Sequence, residues 1–157
     1  MNIKEQIAQY QGLTSESVLN IAAAILLQDM KKGKPLTSPS MTIKFLQTAL
    51  AGRKNECFLV VYMDTGHRVI DAIEEFHGTI DGACVYPRVI AERALRLGAA
   101  AIIVAHNHPS GNSEPSSADQ AITRRLQDAL LLLEIRLLDH FVIGEGAPVS
   151  MASRGML

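Results

Sequence analysis

The stretch Ala99-Ala100-Ala101-Ile102-Ile103-Val104-Ala105-His106-Asn107-His108-Pro109 decides the fold. Residues 99–105 carry no polar side chain. A run that is apolar at every position suits a central strand buried on both faces. Polar residues then arrive at once, and Pro109 cannot continue a central strand. On an extended chain, positions i and i+2 share a face. His106 and His108 are therefore expected to face one site, with Asn107 pointing away. The strand ends by delivering two imidazoles to one place.

The flanking segments extend this pattern. Pro87 and Gly98 bracket a helix through Val89, Ile90, Ala94 and Leu97. Residues 109–115 are rich in Pro, Ser, Gly and Asn and read as a loop. Ser116 starts a helix to about Leu133, residues 135–143 form a strand, and 148–152 form a short last strand. Upstream, 56–63 and 68–76 are apolar β-rich runs joined by the turn signal Asp64-Thr65-Gly66, which predicts a hairpin. A first helix covers 15–32, with Ser15 as cap and Val18, Ile21, Ala22, Ile25 and Leu26 at helical spacing. Ser38-Pro39 starts a second, to about Ala51. A hairpin, a buried strand and interleaved helices predict an α/β sandwich with a mixed sheet.

Composition narrows the function classes. The chain has 157 residues, 48% of them apolar, which fits one globular domain with a sizeable core. Its formal charge is −1, so the basic excess of a strong non-specific nucleic-acid binder is absent. Arg88, Arg93 and Arg96, and the pair Arg124-Arg125, read as solvated helix faces, with a local basic patch as the less favoured alternative. Cys57 and Cys84 form no CxxC and read as buried small apolar residues rather than nucleophiles, which fits a reducing cytoplasm. Met1–Tyr10 lacks the pattern of a signal peptide, and Val18–Leu27 is too short to span a bilayer. A cytoplasmic protein without a membrane partner is expected.

His106, His108 and Asp119 supply three candidate zinc ligands within fourteen residues. Zinc hydrolases use three protein ligands and keep a fourth position open. Asp119 falls in the first turn of its helix, where the helix dipole favours a carboxylate. On these residues alone two readings stand: a metal site, or a structural histidine pair beside a helix-start acid. A metallohydrolase also needs a base to take the proton from water. Glu56, a charged residue at the start of an apolar strand, is a candidate; a solvent-facing strand end is the other reading. His67 and His77 lack metal spacing, and His67 falls in a turn. His140, beside Asp139, either orients a ligand or is structural. Glu74, Glu75 and the turn Asp81-Gly82 are assigned no chemistry.

Glu56, then His106-x-His108-Pro109, six residues, Ser116, two residues and Asp119 together resemble the JAMM metalloprotease motif of JAB/MPN domains. His106-Asn107-His108-Pro109-Ser110-Gly111, Pro115-Ser116, Tyr86-Pro87-Arg88 and Leu138-Asp139-His140 resemble its bacterial RadC branch. The resemblance covers about residues 38–153. It implies a JAB/MPN-like (cytidine-deaminase-like) mixed sheet flanked by helices. It implies that His106, His108 and Asp119 bind one Zn2+ per chain, and that Glu56 deprotonates the attacking water and passes the proton to the leaving amine. Ser116 would stabilise the oxyanion, and it could also cap its helix. The activity implied is hydrolysis of an amide bond in a peptide or protein substrate, as a metallopeptidase or isopeptidase. A nucleic-acid hydrolase linked to DNA repair and a non-catalytic zinc-stabilised interaction module are the alternatives. Asn107 stands where JAMM proteases commonly carry Ser or Thr. Full-length RadC proteins carry an N-terminal helix-hairpin-helix-like region. Here a helical segment, 1–37, precedes the domain at 38–157, and no Gly-rich DNA-binding hairpin is read in it.

Overall fold

The structure, a computed structural model, describes residues 12–36, 39–78 and 84–157. The expected cap Ser38, the Asp81-Gly82 turn and the stretch Met1–Tyr10 lie outside the described residues. The strands are β1 (Cys57–Met63), β2 (Val69–His77), β3 (Ala101–Asn107), β4 (Arg136–Ile143) and β5 (Val149–Ser150). The helices are α1 (Ser15–Met30), α2 (Pro39–Leu50), α3 (Pro87–Leu97) and α4 (Ser117–Leu131).

The apolar run becomes the middle of the sheet, whose order is β2-β1-β3-β4-β5. β3 pairs antiparallel with β1 and parallel with β4, so the sheet is mixed as expected. β1 and β2 form the antiparallel hairpin. The parallel pair β3–β4 needs a crossover, and α4 supplies it. Alternation along β1 shows why a sheet with helices on both faces results. Cys57, Leu59, Val61 and Met63 join a core with Met30, Phe45, Leu46 and Leu50 of α1 and α2. Phe58, Val60 and Tyr62 join a second core with Ile90 of α3 and Leu126 and Leu130 of α4. Truncating a fully buried leucine such as Leu46 or Leu126 to alanine costs roughly 2–5 kcal/mol.

Two details differ from the sequence expectation. The cap of α1 is Thr14, not Ser15: Thr14 has the extended backbone of a cap, and its side chain accepts from the Ser17 N–H at 3.1 Å. Ser15 is already helical. Of the α1 positions that marked the period, Val18, Ile21 and Ile25 are half exposed, whereas Leu26 packs on the core together with Ala23 and Leu27. At α3 the expectation holds, with Pro87 in the first turn and Gly98 in the left-handed cap position at φ 66°.

Candidate metal centre

Two elements bring the donors together. β3 runs up to the histidines, and the His108 N–H still donates to the Ile143 carbonyl of β4 at 2.8 Å. The chain then turns back, with the Gly111 N–H donating to the His108 carbonyl at 2.9 Å. Gly111 has φ 84°, a conformation that strains any L side chain. Its carbonyl accepts from the Glu145 N–H at 2.7 Å. A Cβ on Gly144 would lie 2.3 Å from that carbonyl oxygen, so the loop can close on the end of β4 only over glycine.

The loop ends at Ser116, the N-cap of α4. Its hydroxyl accepts from the Asp119 N–H at 3.1 Å, and Asp119 Oδ2 accepts from the Ser116 N–H at 2.7 Å. This capping box fixes the carboxylate in the first helical turn. Asp119 Oδ1 then lies 3.0 Å from His106 Nε2, Oδ2 lies 3.3 Å from His108 Nε2, and the two Nε2 atoms are 2.9 Å apart.

These donors fit a metal ion. Four ligands about 2.0–2.1 Å from zinc in a tetrahedron lie about 3.3 Å apart. His108 Nδ1 faces the Asn112 carbonyl at 2.7 Å and must donate to it, which leaves the Nε2 of a neutral ring as a bare lone pair. That lone pair faces a carboxylate and a second imidazole. The three residues form a group able to hold an ion, and a cation satisfies acceptors so placed. Burial by itself raises the Asp119 carboxyl. The His106 contact and charge, with the Ser116 donors, outweigh it and hold the acid well below its ordinary range.

Behind His106 the site is dry. His140 is fully buried and its Nε2 lies 2.8 Å from His106 Nδ1. Desolvation, and then the neighbouring His106, push its pKa down to about 3. Phe58 stacks parallel to His106, ring centroids 6.1 Å apart, and meets His140 edge-on at 5.5 Å.

In front of the donors opens a cleft of about 560 Å³, and both Glu56 and Ser116 line it. Glu56 is half-buried, and its side chain has no partner among the described residues. Its backbone is gripped from both sides: Asn107 Oδ1 accepts from the Cys57 N–H at 2.7 Å, and Asn107 Nδ2 donates to the Asn55 carbonyl at 3.1 Å. Asn107 does point away from the donors, but toward the neighbours of Glu56. Ser116 Oγ donates to Asp119 Oδ2 at 2.6 Å, so acting on a substrate requires its hydroxyl to rotate. Arg125 lies on the cleft wall, exposed and without a partner among the described residues.

The structure also assembles what sequence spacing missed. Cys57, Glu74 and His77 form a second group of potential ligands. A register shift between Phe58 and Leu59 pairs Phe58 with Phe76 but Leu59 with Glu74, which turns Glu74 toward the face of Cys57 and His77. No residue pattern in the sequence announces that bulge. Thr123, whose hydroxyl sits 2.6 Å from His140 Nδ1, reads in sequence as an ordinary helix residue. Arg136 Nη2 lies 3.0 Å from His67 Nε2, away from the centre.

Comparison with known families matches residues 36–156 to the RadC-like JAB domain. A UPF0758 protein of Vibrio cholerae serotype O1 (strain M66-2) is 48% identical over 160 residues, covering 98% of this chain and 71% of the relative. The UPF0758 protein of Vibrio parahaemolyticus is 47% identical over the same shares. That of Halorhodospira halophila is 51% identical over 142 residues, 90% of this chain and 63% of the relative. The shared name states no reaction.

Proposed function

The chain belongs to the RadC-like JAB domain family, and from that premise we propose that it is a zinc-dependent hydrolase of amide bonds, a metallopeptidase or isopeptidase. One observation carries the reading. A half-buried carboxylate without a partner among the described residues, Glu56, lines the same cleft as His106, His108 and Asp119. A zinc ion held by those three residues would polarise the substrate carbonyl and bring the pKa of water toward neutrality. Glu56 then takes the proton from the attacking water and returns it to the departing amine. Ser116 turns its hydroxyl from Asp119 to the developing oxyanion and remains the cap of α4 through its acceptor side. Phe58 and the buried His140 exclude water behind the donors, which strengthens each electrostatic contact in the cleft. A cytoplasmic location and a domain boundary near residue 38 belong to the same proposal.

The test separates metal from base. Wild type reconstituted with zinc and screened on peptide and isopeptide libraries is expected to cleave some members. Glu56→Gln is expected to hold as much zinc as wild type and to lose roughly 10²–10⁴ in turnover, the usual contribution of a general base. Full activity in that variant removes Glu56 from the mechanism. A second reading, hydrolysis of a phosphodiester, is favoured by the unpaired Arg125 on the cleft wall, which suits an anionic substrate group. Labelled single- and double-stranded DNA in the same assay decides between them: cleavage of DNA that Glu56→Gln abolishes supports the second, and equal cleavage by both proteins marks a contaminant.

A further inference from the structure

We propose that Thr123 and His140 set the tautomer of His106, so that its Nε2 lone pair points into the centre before any ion arrives; this rests on the reading of that centre as a metal site. A backbone carbonyl oxygen can only accept. Thr123 Oγ1 lies 2.6 Å from the backbone carbonyl oxygen of Asp119. Two oxygens so close must share a proton, and only the hydroxyl has one. Met151 Sδ, at 3.7 Å, is too weak an acceptor to compete for it. With its proton committed, Thr123 Oγ1 can only accept from the other group it touches, His140 Nδ1 at 2.6 Å. His140 therefore carries its proton on Nδ1.

The ring of His140 is fully buried, and no carboxylate is hydrogen-bonded to it among the described residues. Burial without a paired anion keeps an imidazole neutral, with a single N–H. His140 Nε2 is then a bare acceptor, and the 2.8 Å contact to His106 Nδ1 obliges His106 to be the donor. In the neutral ring His106 Nε2 is then left as a lone pair, 3.0 Å from Asp119 Oδ1 and 2.9 Å from His108 Nε2.

Metal-binding histidines are commonly oriented by a carboxylate or a backbone carbonyl, groups that can only accept. A histidine partner has no such fixed role, because either of its nitrogens can carry the proton. It orients His106 only if a third group fixes its own tautomer, and Thr123 is placed to do that. Phe58 packs on both rings: it lies parallel to His106, with 12° between the planes, and crosses His140 at 71°. Asp119 closes the circuit, because the carbonyl that commits the Thr123 proton belongs to the residue that supplies the third donor. Thr123 and His140 are positioning residues, acting through His106.

Proton–nitrogen NMR of metal-free wild type with labelled histidine reads the tautomers without needing an ion. His106 and His140 are both expected as Nδ1–H. A neutral His106 carrying its one proton on Nε2 overturns the proposal. Thr123→Val keeps the shape and removes the acceptor. It is expected to mix the His106 tautomers and to weaken zinc binding by about 10–100-fold in a chelator competition, the usual cost of losing an outer partner. Thr123→Ser is expected to restore both. Unchanged tautomers and affinity in Thr123→Val also overturn it. Wild type that takes up no zinc yet shows the expected tautomers would sink the metal reading and leave the relay standing.

Discussion

Two groups of potential ligands stand at the same end of the sheet, on opposite faces. His106, His108 and Asp119 lie on the α3–α4 side with Phe58; Cys57, Glu74 and His77 lie on the α1–α2 side with Leu59. Each offers three donors, and the difference lies in what their other atoms do. In the first, the Asn112 carbonyl consumes His108 Nδ1 and the His140 ring faces His106 Nδ1, while the two Nε2 atoms face the carboxylate. In the second, Arg53 already holds Glu74 at 2.5 Å. His77 Nδ1 is engaged with Cys57 Sγ at 3.6 Å, and its Nε2 lies 3.6 Å from Glu74 Oε2, beyond hydrogen-bond distance. Desolvation, then Glu74, push the Cys57 thiol up, away from the thiolate a metal needs. Proximity makes a list of ligands; unspent lone pairs without a resident cation make a site.

The largest expected effect follows directly. Wild type given excess zinc and then desalted should carry one ion per chain. His108→Ala should carry none, with affinity lost by more than the roughly 10–100-fold that an outer partner costs. Cys57→Ser should still carry one. Two tightly held ions in wild type would break the contrast between the groups, and so would loss of the ion in Cys57→Ser with His108 intact.

A smaller effect uses the thiols. Cys57 is 3% exposed, whereas Cys84 lies open on the cleft wall. Alkylation of native protein should label Cys84 first. Cys57 should react at least about a hundred-fold more slowly, because an opening of roughly 3 kcal/mol must come before reaction. Equal rates would mean that the second group is already open to solvent and to metals.

Much of the first group was readable from the sequence, because local signals carry it. An unbroken apolar run announces a central strand, His-x-His puts two rings on one side, and Ser116-x-x-Asp119 is the spacing of a capping box. Glu56 was readable as a charge out of place, although only the fold brings it to the cleft, fifty residues from His106. The second group was not readable, because it depends on one extra residue in β2 that shifts Glu74 onto the face of Cys57. The role of Asn107 was half readable: alternation turns it away from the donors, but nothing local says that it meets the backbone at Asn55 and Cys57. Thr123 was invisible for the same reason. Its partners are one helical turn back and a strand away.

Acid sharpens the comparison further, in metal-free protein. The folded state holds the His140 pKa down at about 3 against an ordinary 6.5. Between those values the unfolded chain binds a proton that the folded ring refuses. Stability contributed here is therefore complete above pH 6.5 and is lost as pH falls, by up to roughly 1.4 kcal/mol per pH unit. Asp119 acts in the same direction but later. Its folded carboxyl is held below the ordinary 3.8, so its contribution is lost only as pH falls under that value. Urea unfolding at a series of pH values should show the first slope in wild type and lose it in His140→Gln. A wild-type stability that is flat from pH 6.5 to 4.5 would mean that the buried ring accepts a proton.

The smallest effect is an attempt to turn the second group into the first. Cys57 Sγ and His77 Nδ1 are 3.6 Å apart, close to the roughly 3.6 Å that separates sulfur and nitrogen ligands of tetrahedral zinc. Geometry is therefore not the main obstacle; the Arg53 cation on Glu74 is. Arg53→Met keeps an apolar stem of similar length beside Ala49 and frees the carboxylate. The gain should be weak, because Arg53 is also the cation that lowers the Cys57 pKa, and removing it leaves the thiol harder to ionise. Cobalt or cadmium added beyond one equivalent should produce a thiolate charge-transfer band in Arg53→Met, absent from wild type and from Arg53→Met/Cys57→Ser. If the variant shows no band at millimolar metal, the charge account is insufficient. The burial of Cys57, rather than the ion pair beside it, would then be what keeps the second group from becoming a site.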